Sequence, residues 1–185
     1  MKTLLKTSVN RIALLAIVAL GIFSFNTITE KTINNITQNT ETTFHKNVTI
    51  NGVNIFYREA GDVNKPTILL LHGYPTSSHM FRNLITDLSV RYHVLAPDYP
   101  GFGRSDQPMM KEFEYTFDNM AILVEGFLEE LKVDKYSIYL MDYGAPIGFR
   151  IAAKYPEKIE SLIIQNGNAY EEGLKDFWIP IKKYW

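Results

Sequence analysis

The stretch Ile138–Gly148, IYLMDYGAPIG, places one carboxylate between an apolar run and a turn-forming segment. The apolar run predicts the end of a buried strand, and the Gly-Ala-Pro sequence after Asp142 predicts a sharp turn into a helix over Ala145–Tyr155. A charge beside a hydrophobic core is costly unless it is paired or has a function. Taken alone, the pattern favours Asp142 as the N-cap of that helix. The rest of the sequence shows whether Asp142 has this structural role or a functional one.

Alternating strands and helices surround this stretch. The segments FHKNVTI and VNIFYREAG predict a β-hairpin, with Asn51-Gly52 as a type I′ turn between them. Apolar residues at helical spacing predict helices over Met80–Leu88 and Phe117–Leu131. Short apolar runs predict further strands in PTILLLHG, YHVLAPD, YSIYLM and IESLIIQ. This order indicates an α/β fold, with a mostly parallel sheet and helices on both faces.

Three predicted strands end in polar or glycine-rich sequence: HGYPTSS, DYPGFGRSD and MDYGAPIG. In open α/β sheets, binding and catalytic residues gather at the carboxyl ends of the strands. A residue at a sharp strand-to-helix turn stands clear of the sheet, beside backbone N–H groups that favour negative charge. The clustering therefore favours a functional role for Asp142.

In this order and spacing, the three motifs resemble those of the α/β-hydrolase superfamily, most closely haloalkane dehalogenases and epoxide hydrolases, in which aspartate replaces the serine nucleophile. The resemblance covers about residues 43–185. It implies that Asp142 is the nucleophile and that the backbone N–H groups of Tyr74 and Tyr143 bind the oxyanion. The residues it identifies as supporting the motifs are His72, Gly73, Pro75 and Gly144.

The chemistry implied by the resemblance needs no cofactor. An aspartate side chain is ionised at neutral pH, so it attacks a carbon that bears a leaving group without prior deprotonation and forms an ester. In the family, a histidine-activated water then hydrolyses that ester. The expected substrate is a small, mostly apolar molecule with a reactive carbon, such as an epoxide or an alkyl halide.

Two features depart from the family pattern. Dehalogenases typically carry asparagine at the position of Tyr74 and tryptophan at that of Tyr143, and those side chains donate hydrogen bonds to the leaving halide. Epoxide hydrolases accept varied residues at the first of these positions. The family also continues, beyond the sixth strand, into a helical cap and then strands that carry a catalytic acid and histidine, whereas residues 169–185 resemble only the entry to a cap.

The second departure leaves two hypotheses open. The chain is either the N-terminal part of a hydrolase, or a non-catalytic remnant that binds small hydrophobic ligands or a partner chain. In both cases the sequence predicts one sheet edge without a neighbouring strand, which is an aggregation hazard.

The N-terminus predicts export. Lys2, Lys6 and Arg11 precede the uncharged run Ile12–Phe25, which has the pattern of a secretory signal and is short for a membrane-spanning helix. Small residues at cleavage spacing occur only inside that run, at Ala19-Leu20-Gly21, so an uncleaved anchor remains the alternative. The predicted division is a signal or anchor over residues 1–25, a polar linker over 26–42, the hydrolase core over 43–168 and the start of a cap over 169–185.

The composition argues against nucleic-acid binding, thiol chemistry and a metal site. The 185 residues are 46% hydrophobic and carry a net charge of -1 without a basic face, so nucleic acid is not an expected partner. The sequence has no cysteine, which excludes disulfides and thiol catalysis. It predicts no metal site, because no pair of histidines or acids has ligand spacing. It predicts membrane contact only through the N-terminal segment and gives no oligomeric state.

Other polar residues receive structural interpretations. GFGRSD lacks the spacing of a phosphate-binding loop and is interpreted as a structural loop in which Asp98 bonds the backbone. His93 lies within an apolar strand and is interpreted as a packed core histidine. His45 and His79 have no partners visible in the sequence.

Overall fold

A six-stranded sheet organises the computed structural model, which describes residues 42–173, 175–176, 178–181 and 183. The strands lie in the order β1-β2-β4-β3-β5-β6. The predicted signal or anchor over residues 1–25 and nearly all of the predicted linker lie outside the described residues. Within the described residues, no helix is both long and apolar enough to cross a membrane.

The hairpin formed by β1 (Phe44–Ile50) and β2 (Val53–Ala60) confirms the first predicted element. Its strands are antiparallel, and Ile50 pairs with Val53 across the turn. Asn51 and Gly52 have φ angles of 50° and 83°. Both central residues of a type I′ turn need positive φ, and Asn-Gly is the dipeptide that adopts them most readily.

The remaining strands confirm the predicted parallel sheet. Their bounds are β3 (Thr67–Leu71), β4 (His93–Pro97), β5 (Tyr136–Asp142) and β6 (Ile159–Gly167). The pairs β4/β3, β3/β5 and β5/β6 are parallel, whereas β2 pairs with β4 antiparallel. β3 and β4 are buried along their whole length, as expected of strands covered on both faces.

The helices are α1 (Arg82–Ser89), α2 (Phe117–Glu130), α3 (Gly144–Lys154) and the short α4 (Trp178–Ile181). The first three cover the two faces of the sheet. On one face, α2 and α3 pack through Phe127 and Ile147 against strand residues such as Leu69. On the other face, Ile85 of α1 packs against Leu70. The two clusters are the two halves of the core.

The helix predicted over Met80–Leu88 is divided. Ser78–Phe81 form a 3₁₀ turn before α1 begins at Arg82. The Ser77 hydroxyl accepts a hydrogen bond from His79 N at 3.3 Å, and Ser78 N donates to the Asp98 carboxylate at 2.6 Å. These side-chain contacts hold the first turn in a tighter geometry than an α-helix, because they bind the N–H groups that open it.

The outer strand β6 exposes apolar side chains. Leu162, Ile163 and Ile164 are 37%, 40% and 53% exposed. Within the described residues no strand pairs with the edge of β6 that faces away from β5. This agrees with the expected unpaired sheet edge. Beyond β6, the segment predicted to begin a cap contains a 3₁₀ turn over Glu171–Gly173 and the short helix α4.

Candidate active site

The carboxyl ends of β4, β3 and β5 lie side by side in the sheet. Asp98 follows β4, His72 and Gly73 follow β3, and Asp142 is the last residue of β5. Because the three strands are parallel neighbours, the three motifs predicted to cluster meet at one edge.

Asp142 stands at a sharp turn from β5 into α3. Its φ angle is 47°, a left-handed conformation that is uncommon for residues with a side chain. The pairing register with β6 shifts between Met141 and Asp142, and α3 begins two residues later at Gly144. The side chain is exposed. A strained, exposed residue at a strand-to-helix turn is a frequent feature of functional sites.

One oxygen of the Asp142 carboxylate binds two backbone N–H groups. Oδ1 accepts hydrogen bonds from Tyr74 N and from Tyr143 N, both at 2.7 Å. The described contacts include no hydrogen bond to Oδ2. The carboxylate is therefore held in place through Oδ1, and Oδ2 remains available to a ligand.

The N-cap interpretation of Asp142 is wrong. The residue at the N-cap position of α3 is Tyr143, and its side chain makes no capping hydrogen bond. An N-cap side chain binds N–H groups two or three residues ahead, whereas Asp142 binds the next residue and a residue on another loop.

The other residues identified by motif lie next to this carboxylate. Tyr74-Pro75 is a cis peptide bond directly after Gly73. A β-carbon on Gly144 would lie 2.4 Å from the carbonyl oxygen of Leu71, so only glycine lets α3 begin this close to β3. The motifs thus bring the loops after β3 and β5 into direct contact.

His72 is a structural residue of the turn. It is fully buried, its Nδ1 donates to Gly73 O at 3.0 Å, and its Nε2 accepts from Tyr99 N at 3.4 Å. Burial lowers the pKa of His72, although the bond to Gly73 O opposes that shift. The imidazole is neutral, with both nitrogens engaged, so it holds the loops after β3 and β4 together.

The GFGRSD segment is a structural loop around Asp98. The Asp98 side chain is buried, and it accepts hydrogen bonds from Ser78 N at 2.6 Å and from Arg104 N at 2.9 Å. A β-carbon on Gly103 would lie 2.0 Å from Asp98 Oδ2. Asp98 therefore closes the loop after β4 onto the loop after β3.

An aromatic cleft of about 570 Å³ is lined by Tyr74 and Tyr143, the two residues whose N–H groups bind Asp142, although Asp142 itself is not among the lining residues. The ring centroids of the two tyrosines lie 5.3 Å apart. Phe117 meets the Tyr143 ring edge-on at 5.1 Å. The other residues of the lining are Tyr99, Phe102, Tyr115, Thr116, Asp118, Met120, Ile147 and Arg150. Such a surface suits a ligand with an apolar or aromatic body.

Two hydroxyl groups of this lining have no hydrogen-bond partner among the described residues: those of Tyr74 and Tyr143. The others are engaged, because Tyr99 donates to His72 O at 3.1 Å and Tyr115 donates to Pro108 O at 2.6 Å. Thr116 Oγ1 accepts from Asn119 N as the N-cap of α2. Burial raises the pKa of Tyr143, and the charge of Asp142 adds to the effect, so this hydroxyl keeps its proton.

Sequence reasoning missed the wall of the cleft that is formed by the first turn of α2 and by α3. Phe117, Asp118 and Arg150 lie there, and Arg150 Nε donates to Asp118 Oδ1. Arg150 is eight residues after Asp142 on the helix that leaves the turn. Because Asp142 lies outside that helix, the spacing does not by itself place Arg150, and its pairing with Asp118 on another helix had no signal in the sequence.

His45 and His79, for which the sequence showed no partners, both contact one arginine in the structure. Arg58 is buried on β2, and its guanidinium contacts His45 Nε2 at 2.5 Å and His79 Nδ1 at 3.5 Å. The interpretation of His93 holds in part: it is buried, but it is also bonded to Glu59 Oε1 at 2.9 Å.

None of the four histidines is among the residues that line the cleft. In the part of the chain that the structure describes, no group of three or more His, Asp or Glu side chains is placed to hold a metal ion.

A family model for the α/β-hydrolase fold matches residues 66–185, well over half of the chain. The chain belongs to the α/β-hydrolase fold family. The resemblance read from the three motifs is confirmed at this level. Asp142 of this family member lies at the strand-to-helix turn between β5 and α3.

Curated relatives agree with the family. The chain is 50% identical over 143 residues to an uncharacterized hydrolase of Saccharomyces cerevisiae, covering 77% of this chain and 49% of that protein. It is 39% identical over 112 residues to a haloalkane dehalogenase of Mycolicibacterium paratuberculosis, covering 60% of this chain and 37% of that protein. The chain therefore spans between about a third and a half of these relatives.

Solved structures agree as well. An epoxide hydrolase variant from Vigna radiata superimposes with a TM-score of 0.62 at 28% identity, covering 66% of this chain and 38% of that one. The predicted fold class is confirmed.

Proposed function

We propose that this α/β hydrolase acts through a covalent ester on Asp142, with an epoxide or an alkyl halide as the type of substrate. Oδ2 of Asp142 attacks a saturated carbon and forms a C–O bond, while the bond from that carbon to oxygen or halogen breaks. The electron pair leaves with the alkoxide or halide. The single observation that supports this most directly is the pair of 2.7 Å hydrogen bonds from Tyr74 N and Tyr143 N to Oδ1 alone.

The two oxygens of the Asp142 carboxylate have different roles in the proposed reaction. The two N–H groups hydrogen-bond to Oδ1 and so orient the carboxylate. Oδ2 is therefore the atom that attacks the substrate. In the ester, Oδ1 is the carbonyl oxygen. When water adds to that carbonyl carbon, the negative charge develops on Oδ1, where the same two N–H groups already point.

Two tyrosine side chains are the proposed donors to the leaving group. The hydroxyl groups of Tyr74 and Tyr143 have no hydrogen-bond partner among the described residues, and their rings line the cleft. The backbone N–H groups of the same two residues bind Asp142. A hydroxyl that stays protonated can donate to a departing halide, or give its proton to a departing alkoxide. The raised pKa of Tyr143 favours the protonated form.

The competing hypothesis of a ligand-binding protein without catalysis finds support in the histidines. Each is engaged away from the cleft, so none is placed to activate water for the second step. The two hypotheses differ in whether Asp142 reacts at all, and that difference can be measured directly.

The test is the mass of the intact protein after incubation with a neutral epoxide such as styrene oxide. The proposal expects one covalent adduct, mapped by peptide sequencing to Asp142 and absent in Asp142→Asn. The matched control is Asp118→Asn, because Asp118 is an exposed carboxylate that lines the cleft but makes no contact with the N–H groups of Tyr74 and Tyr143. The control should still form the adduct.

Two results would overturn the proposal. The first is an adduct on a histidine or lysine with Asp142 unmodified. The second is the absence of any adduct from protein that near-UV circular dichroism shows to be folded, which would favour the ligand-binding alternative.

A further inference from the structure

Only two charged residues line the aromatic cleft. Asp118 comes from the first turn of α2, and Arg150 comes from α3. Every other residue of the lining is aromatic, aliphatic or a threonine. Arg150 is therefore the only cationic group of the described residues that faces this cleft. Apart from its partner Asp118, this arginine stands on a largely apolar wall and marks the place where a ligand can carry an anionic group.

The Arg150 guanidinium is held in place by three contacts. Nε donates to Asp118 Oδ1, and Nη1 donates to Pro146 O at 3.0 Å. The carbon Cζ lies 5.8 Å from the centre of the Phe117 ring. A guanidinium carries five N–H groups, and these bonds use one on each of two nitrogens. Both N–H groups of Nη2 and one of Nη1 have no acceptor among the described residues.

The ion pair with Asp118 leaves room for a ligand. The Asp118 side chain is 74% exposed and that of Arg150 is 41% exposed. Exposed ion pairs contribute little to stability, because water screens the attraction and the side chains lose freedom. An incoming carboxylate can bind the free N–H groups beside Asp118 or take its place, since arginine binds carboxylates through two parallel hydrogen bonds.

The position of Arg150 sets the size of the ligand. Arg150 is six positions after Gly144, which corresponds to about 9 Å along the helix axis. The guanidinium bonds the Pro146 carbonyl, one turn back, so it lies nearer to the turn at Asp142. The Phe117 ring contacts both parts of this wall, because it lies 5.1 Å from the Tyr143 ring and 5.8 Å from Cζ of Arg150. A ligand with an aromatic ring or a short aliphatic chain can therefore lie along the wall between Tyr143 and Arg150.

We infer that Arg150 forms an anion subsite in the cleft, and that the ligands of this protein carry a carboxylate on an apolar body. Asp118 is the counter-ion of the empty subsite and competes with the ligand. The inference deepens the proposed function, and it rests on that function only for the reaction at Asp142, since binding to Arg150 does not require the reaction.

Binding of two unreactive probes tests the subsite. 4-Ethylbenzoate and 4-ethylbenzamide have nearly the same shape and differ in charge. Titration calorimetry with the full chain should give a Kd for the benzoate about tenfold lower than for the benzamide, the difference between a charged and a neutral hydrogen-bonded pair. Arg150→Gln should bring the two Kd values together by weakening only the benzoate.

A second variant tests the competition. Asp118→Asn should tighten benzoate binding several-fold and leave benzamide binding unchanged. The matched control is Glu130→Gln, which removes the same charge from the exposed far end of the same helix and should change neither Kd. Equal Kd values for the two probes in the unaltered chain, no binding of either, or a benzoate preference that survives Arg150→Gln would each overturn the inference.

Reactive versions of the probes separate this inference from the proposed function. 4-Oxiranylbenzoate should label Asp142 faster than 4-oxiranylbenzamide, and Arg150→Gln should remove the difference. If both label Asp142 at the same rate, the subsite is wrong and the nucleophile stands. If the unreactive benzoate binds through Arg150 but no adduct forms, the subsite stands and the proposed function fails.

Discussion

The α-carbon of Gly73 faces the side chain of Asp142 at a distance that leaves no room for a β-carbon. An added β-carbon would lie 2.7 Å from Cβ and 2.9 Å from Oδ1 of Asp142. Because residue 73 has no side chain, the carboxylate reaches the N–H groups of both Tyr74 and Tyr143. The geometry of the site thus depends on residue 73 being a glycine, without a β-carbon.

Gly73→Ala should therefore impair the reaction more than the fold. The added methyl group displaces the carboxylate from its N–H donors, and a shift of about 1 Å at a reacting group costs roughly 10²-fold in rate. The measurement is the rate of adduct formation on Asp142. The control is Gly148→Ala, whose methyl group would lie 2.8 Å from a Leu140 side-chain carbon in the core. That variant should lose stability without a comparable loss of rate, and equal losses of rate in both variants would contradict the argument.

Tyr74→Phe and Tyr143→Phe should each slow adduct formation from an epoxide by about 10²-fold, since an alkoxide leaves poorly without a proton donor. An alkyl iodide should be affected much less, because iodide needs little help to leave. Tyr115→Phe is the control, because Tyr115 lines the same cleft but its hydroxyl donates a hydrogen bond to Pro108 O. Unchanged rates in the first two variants would exclude the hydroxyl groups as donors.

The buried carboxylate of Glu59 should make stability depend on pH in the acid range. Its hydrogen bond from His93 lowers the pKa of Glu59, with the ion pair to Lys46 adding to the shift and burial opposing it. A pKa that is lower in the folded state stabilises the fold fully above the unfolded value of about 4.3. That contribution is lost as pH falls through the folded pKa.

Urea unfolding between pH 6 and pH 3 tests this linkage at Glu59. Glu59→Gln should reduce the free energy of unfolding at neutral pH by about 1–3 kcal/mol, because His93 and Lys46 lose a charged acceptor. It should also flatten the decline toward acid pH. Glu130→Gln, at an exposed position, should leave the profile as it is. A variant profile parallel to that of the unaltered protein would show that Glu59 is not the responsible group.

Export is proposed from the basic and apolar N-terminus. Leu15→Arg should retain the protein in the cytosol, because a charge in the apolar segment costs about 2.5–3.5 kcal/mol at the centre of a membrane helix. Cell fractionation with antibody detection measures the outcome, and Leu15→Ile should be exported like the unaltered chain. Cytosolic location of the unaltered chain would refute the proposal.

The sequence by itself determined the fold class, the strand order along the chain and the turn at Asp142. These features are local: an Asn-Gly turn, apolar runs of strand length and helical spacing are each set by residues close in sequence. The 3₁₀ turn over Ser78–Phe81, which precedes α1, was not predicted from the sequence. It depends on a hydrogen bond to Asp98, which lies on a distant loop.

Only the tertiary structure decided which atoms of the site meet. Asp142 is an N-cap candidate in sequence, and it becomes an exposed carboxylate with a bound Oδ1 because Tyr74, 68 residues earlier, turns its N–H group toward it. Likewise Asp118 and Arg150, which are 32 residues apart, share one wall of the cleft because α2 and α3 pack on the same face of the sheet. Contacts of this kind depend on how distant segments pack, and packing is a property of the whole fold that no local pattern contains.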